Sequence, residues 1–232
     1  QEVCKKQQIY LANSINSLRI EGQKTISIEL CQQFDWAIPD WVIIPGGNLG
    51  NISALGKGFL MLKDMGLISK LPRLVCAQSQ NANPLYQSYL NNFETFEPVL
   101  AKTTLANAIQ IGDPVSVNKA IKILKEFDGI VEQASEEELA SASARVDLTG
   151  TFNCPHTGVA ITAFEKLVNN KVIKKTDKVV VISTAHGLKF VDFKINYHLE
   201  KLSEISNKFS NHPIEVEAST DKVMQILDSK VL

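Results

Sequence analysis

Apolar, β-branched runs alternate along this chain with stretches whose apolar positions recur at helical spacing. Trp41-Val42-Ile43-Ile44, Leu74-Val75-Cys76-Ala77 and Gly129-Ile130-Val131 read as short buried strands, and Lys178-Val179-Val180-Val181-Ile182 is the clearest of them. Between and before them, Glu21 to Phe34, Leu49 to Met65, Val117 to Phe127 and Pro155 to Val168 carry the three-and-four spacing of helices with one buried face. Strands apolar throughout and separated by helices predict an α/β fold, a parallel sheet flanked by helices.

Local signals sharpen the boundaries. Gly66 closes the second helix. Asp113-Pro114 reads as a helix opening, with Asp as cap and Pro in the first turn. Ser135-Glu136-Glu137-Glu138 is a capping box, and its acidic run reads as a solvated first turn, not a catalytic carboxylate pair. The stretch from Gln1 to Ile9 reads as the interior of a fold. With Gln at position 1 and no leader visible, processing or truncation is expected to have removed what came before. After about Tyr197 a mixed-charge tail leads to a last helical stretch, Thr220 to Val231.

The junction after the first strand carries the most chemical information. Pro45-Gly46-Gly47-Asn48-Leu49-Gly50-Asn51 passes from strand through glycines into a helix start. Such a junction aims several backbone N–H groups and the positive end of a helix dipole at one point, which suits an anion such as a phosphate monoester. Asn48 and Asn51 can add amide donors. The loop lacks the G-x-G-x-x-G of a dinucleotide site. Gly50 to Gly56-Lys57 is one residue too long for a nucleotide P-loop and ends in Gly58. By itself such a loop is equally an ordinary strand-to-helix turn.

Composition narrows the partners. A chain of 232 residues with 44% hydrophobic and 21% charged content has enough material for a real core. A net charge of −1 argues against nucleic acid, which needs a basic surface. No apolar stretch approaches the roughly 20 residues of a membrane span. Cys4, Cys31, Cys76 and Cys154 are widely spaced, favouring a reduced compartment over disulfides or zinc. Cys154-Pro155-His156 reads as a helix approach rather than a metal site.

Several blocks in order resemble threonine synthase, a pyridoxal-phosphate enzyme of fold type II, most closely its plant-type branch. They are Asn13 to Thr25, Pro45 to Asn51, Val75 to Gln78 with Asn81 to Tyr86, Ala108 to Val115, Cys154 to Ala160, and Ser183 to Phe190. The resemblance runs from about Ala12 to His198. It implies that residues 1–198 are the C-terminal part of the large domain of that catalytic fold, with residues 199–232 a helical tail.

The family converts O-phosphohomoserine and water into threonine and phosphate. The resemblance implies that Gly47, Asn48, Leu49, Gly50 and Asn51 hold the phosphate of pyridoxal 5'-phosphate, with Thr184 beside its ring nitrogen. It places Ser14, Arg19 and Asn48 at the substrate phosphate. Taken alone, Ser14 reads as a cap or turn residue, Arg19 as a surface ion-pair residue and Thr184 as a strand-end hydroxyl. His156 and His186 read as packing histidines, and Lys24 and Lys189 as structural.

The resemblance also implies that the Schiff-base lysine and the segment holding the substrate carboxylate lie upstream, in an N-terminal half that this chain does not contain. Activation by S-adenosylmethionine in plant-type members depends chiefly on that half. A homodimer is the common family assembly, in the cytoplasm or, for a plant or alga, the plastid stroma. Two other readings stay open: another fold-type-II lyase such as threonine dehydratase or cysteine synthase, and a non-catalytic binding or subunit module.

Overall fold

A computed structural model describes residues 2–7 and 9–230. In chain order its elements are α1 (Glu2–Gln7), α2 (Ser17–Gln23), α3 (Thr25–Gln33), β1 (Trp41–Pro45), α4 (Gly50–Asp64), β2 (Arg73–Ser79) and α5 (Pro84–Leu90). There follow α6 (Val117–Glu126), β3 (Ile130–Ala134), α7 (Glu136–Asp147), α8 (Pro155–Asn169), β4 (Val179–Val181), α9 (Val191–His198) and α10 (Thr220–Lys230). Short 3-10 turns lie at Gln80–Ala82, Asn107–Ile109 and Gly187–Phe190.

The four strands form one parallel sheet in the order β3-β2-β1-β4. Side chains alternate across the pleat, so β1 and β2 feed two cores at once. Val42, Ile44, Leu74 and Cys76 pack with Ile52, Leu55, Phe59 and Leu62 of α4, with α3 and α6 behind them. Trp41, Ile43, Val75 and Ala77 pack on the other face with Val159, Ala160 and Ala163 of α8, together with α7 and α9. This double burial is why β1 and β2 read as unbroken apolar runs. β4 reads just as apolar but is three residues long, half-buried and, among the described residues, paired with β1 alone.

Several boundaries depart from the expectation. The helix expected over Glu21 to Phe34 begins earlier, at Ser17, and breaks at Lys24 into α2 and α3. There the Lys24 carbonyl turns toward α4, where a Cβ on Gly58 would sit 2.4 Å from it. Asp113 and Pro114 stand outside α6, because the Ser116 amide donates to the Asn48 carbonyl at 3.1 Å and the helix starts after it. The Ser135–Glu138 capping box forms as expected. The acidic run beside it is not simply solvated: Glu136 accepts from the Leu105 amide at 2.7 Å and from Ser79 Oγ at 3.1 Å.

At the ends, α1 buries none of its residues, against an expected interior position. Gln1 and Gln8 of that stretch, and Val231 at the end of the last predicted helix, lie outside the described residues. No helix among the described residues is long and apolar enough to cross a membrane.

Candidate anion and cofactor cleft

The chain runs from β1 outward through β2 to β3, then returns to place β4 on the opposite side of β1. The carboxyl ends of β1 and β4 therefore flank the point where strand order reverses, the usual ligand crevice of an open parallel sheet. A cleft of about 680 Å³ opens there. Its lining brings together Ser14, Arg19, Gly47, Asn48, Leu49, Gly50, Asn51 and Thr184, every site residue expected from the sequence.

The glycine junction leaves a run of backbone amides without protein partners among the described residues. Gly46 N donates to Ala77 O at 2.8 Å, the last ladder bond before the chain leaves the sheet. Among the described residues, the five amides from Gly47 to Asn51 then have no protein acceptor. Leu49 adopts a left-handed conformation, φ 64°, while its side chain is buried in the core. That kink turns successive amides the same way at the start of α4, and buried amides without a partner are rare unless a ligand takes them. A Cβ on Gly47 would lie 3.0 Å from Ile109 Cα, so any side chain there would press the opposite wall back by a few tenths of an ångström.

The two asparagines differ in role. Asn51 was expected to offer amide donors, but its Nδ2 donates to Pro45 O at 2.6 Å and its Oδ1 accepts from Ile52 N at 2.9 Å. Its side chain therefore braces the cradle from within. Asn48 is half-buried and directs only its carbonyl to a protein donor, the Ser116 amide, which leaves its side-chain amide for the cleft.

Across from the cradle, Thr184 and Ser183 follow β4. Thr184 Oγ1 lies 3.7 Å from Cys154 Sγ, and Ser183 Oγ lies 3.2 Å from Thr157 Oγ1 at the start of α8. At the mouth, Arg19 Nη1 donates to Ser14 Oγ at 3.4 Å. Arg19 is solvent-exposed and has no carboxylate partner among the described residues, so its guanidinium is available to an anion.

Two wall residues were set aside at the sequence level. His156 is 4% exposed, accepts the Ala108 amide at Nε2 across 3.0 Å, and packs edge-on against Phe190. It is a packing histidine, as expected, and one that also faces the cleft. Lys189 lines the cleft from the Gly187–Phe190 turn. By contrast Lys24 is bound to Glu21 at 2.8 Å, and His186 caps that same turn through the Leu188 amide. Both wall residues, His156 and Lys189, lie in blocks of the family resemblance; His156 is fixed on the wall by Ala108, a partner distant in sequence.

Comparison with known proteins bears on the site. A family profile described as "Pyridoxal-phosphate dependent enzyme" matches residues 1–185. "Threonine synthase 2, chloroplastic" of Arabidopsis thaliana is 57% identical over 227 residues, spanning 97% of this chain and 44% of that protein. "Threonine synthase" of Methanocaldococcus jannaschii is 35% identical over 229 residues, 97% of this chain and 53% of that protein. The chain thus spans about half the length of these curated relatives. The crystal structure of threonine synthase from Escherichia coli superposes with a TM-score of 0.67 at 18% identity, covering 99% of this chain and 53% of that one, and shows the shared fold.

Proposed function

Since the chain belongs to the pyridoxal-phosphate dependent enzyme family, we propose that it is the C-terminal portion of a threonine synthase. In this reading it helps convert O-phosphohomoserine and water into threonine and phosphate. The observation that carries the reading is that one cleft holds both five amides without a protein acceptor among the described residues and a separate Ser14–Arg19 pair able to bind an anion. A cofactor phosphate and a leaving phosphate each need such a place. The 57% identity to a plant threonine synthase over nearly the whole chain supports the same choice.

The residues fit the cofactor. The amides of Gly47, Asn48, Leu49, Gly50 and Asn51, at the positive end of α4, would hold the phosphate of pyridoxal 5'-phosphate. Thr184 would meet its ring nitrogen with a neutral hydroxyl. When bound, pyridoxal phosphate supplies an electron sink for proton removal next to the amino-acid carbon.

The other groups act on the leaving end of the substrate. Arg19 offers a planar fork to the phosphate dianion, Ser14 holds that fork in place, and the Asn48 amide adds a donor from the cradle side. Charge that gathers on the departing oxygen is met by donors already in position. The base and the substrate-carboxylate site belong, in this reading, to a segment upstream of residue 1. Residues 1–198 form part of the catalytic fold and 199–232 a tail. We assign the plastid stroma if the source is a plant or alga and the cytoplasm otherwise, with a homodimer as the full-length assembly.

The test is to express the chain together with the upstream half of the same reading frame. O-phosphohomoserine, threonine and O-acetylserine are then offered in turn. Threonine and phosphate formed in equal amounts from O-phosphohomoserine bear the proposal out. Turnover of threonine or O-acetylserine instead would assign another lyase, and no turnover of any of the three would favour a binding module.

A further inference from the structure

Cys154 is fully buried at the N-cap of α8, immediately behind the cleft wall, and the chemistry above makes no use of it. Its sulfur lies 3.2 Å from Thr157 Oγ1 and 3.7 Å from Thr184 Oγ1. The sulfur thus lies between two hydroxyls, Thr157 on its own helix and Thr184 on the cleft wall.

We propose that Cys154 is a positioning residue that sets which way the Thr184 hydroxyl proton points. The proposal rests on the reading of Thr184 as the partner of the cofactor ring nitrogen. A thiolate can only accept, so it draws the Thr184 proton inward and leaves an oxygen lone pair facing the cleft. A thiol donates to Thr184 Oγ1, which then turns its own proton outward. In the first state the hydroxyl favours a protonated ring nitrogen; in the second it favours a bare one.

The surroundings place this choice in an accessible range. Burial pushes the Cys154 thiol up, yet hydrogen bonds from His156, Thr157 and Thr184 outweigh it and bring the thiol down to about 6. The helix N-terminus acts in the same direction. Charged groups reach the sulfur from other elements as well. Lys194 of α9 interacts with it and is paired to Asp147 of α7 at 2.5 Å, with His198 a further 4.0 Å from that carboxylate. Lys189 lies on the same cleft wall.

Two measurements test the proposal. The first needs no cofactor: ultraviolet thiolate absorbance is titrated for this chain, each protein being compared with its Cys154→Ser counterpart. A midpoint near 6 that rises when Thr184→Val removes the hydroxyl is expected, since the two groups stabilise each other reciprocally. A midpoint at the ordinary cysteine value, or one that Thr184→Val leaves in place, overturns it.

The second follows the absorption spectrum of bound pyridoxal phosphate against pH in the holoenzyme. A spectral transition sharing the thiolate midpoint, and lost in Cys154→Ser while cofactor affinity changes less than about threefold, is expected. An unchanged profile in Cys154→Ser overturns the proposal. Failure of the wild-type holoenzyme to bind the cofactor would instead overturn the functional reading, and the first titration would still decide whether Cys154 and Thr184 are coupled.

Discussion

Asn51 Nδ2 donates to the Pro45 carbonyl across 2.6 Å and so ties the first turn of α4 back to the last residue of β1. The same side chain accepts the Ile52 amide. One residue thereby ties the strand end and the helix start of the loop together from within. Asn51→Ala is expected to cost about 1–3 kcal/mol of stability by leaving the Pro45 carbonyl without its partner. It should also weaken pyridoxal phosphate binding at least about tenfold, one factor of ten being ~1.4 kcal/mol. Urea unfolding and a fluorescence titration read the two effects; unchanged cofactor affinity would remove Asn51 from any bracing role.

Gly47 faces Ile109 so closely that a Cβ would sit 3.0 Å from its Cα. Gly47→Ala should force the Asn107–Ile109 turn outward, at a cost of about 1–3 kcal/mol for an overpacked site. Cofactor affinity is expected to fall with it. A variant as stable as the parent and binding equally well would show that the two walls are free to separate.

Arg19 touches Ser14 and otherwise opens onto the cleft mouth. In the full-length enzyme, Arg19→Ala should lower kcat/KM for O-phosphohomoserine roughly 100-fold, equivalent to about 2.7 kcal/mol, while cofactor affinity stays unchanged. Arg19→Lys should fall between, because it keeps the charge and loses the fork. Steady-state phosphate release checks both, and wild-type turnover in Arg19→Ala would dismiss the assignment.

Acid stability depends on the first turn of α7. Burial raises the Glu138 carboxyl, but hydrogen bonds from the Ser135 backbone and Lys166 outweigh it and hold the group below its ordinary 4.5. A carboxyl whose folded pKa is depressed contributes stability that is present above the unfolded pKa and lost as pH falls through the folded one. Glu138→Gln should therefore lower stability at neutral pH and flatten the decline below about pH 4.5. Thermal melts from pH 3 to 7 would show it (roughly the range where carboxylates titrate), and parallel curves for the two proteins would contradict it.

What could be read from the sequence was what neighbouring residues decide among themselves. The passage from Ile44 through glycine to Ile52 changes period within a few residues, and the Ser135–Glu138 box is satisfied inside one turn. The misread features depend on distant partners. Glu136 looks like a solvated acid until Leu105 and Ser79 fold against it, and Asp113 looks like a cap until Asn48 claims the Ser116 amide. The break at Lys24 needs Gly58 beside it. For the site, the glycine junction between β1 and α4 was legible from its own residues, but choosing an anion site over an ordinary turn, and adding Ser14, Arg19 and Thr184, needed the family resemblance. Their meeting in one cleft follows from strand order, and the contact of Cys154 with Thr184 from packing, neither of which has a local signature.

Strand order also bears on how the cleft comes into being during synthesis. Trp41 pairs with Arg73 on one side soon after it is made, but its partner on the other side is Val179. A chain emerging from the ribosome can thus assemble β1, β2 and β3 and present the glycine cradle well before Thr184 exists. During that interval the open edge of β1 is an unpaired row of backbone groups, the kind that recruits stray strands. Translation must reach β4 before the edge is covered and the cradle acquires its opposite wall, so the last strand made both shields the sheet and completes the cleft.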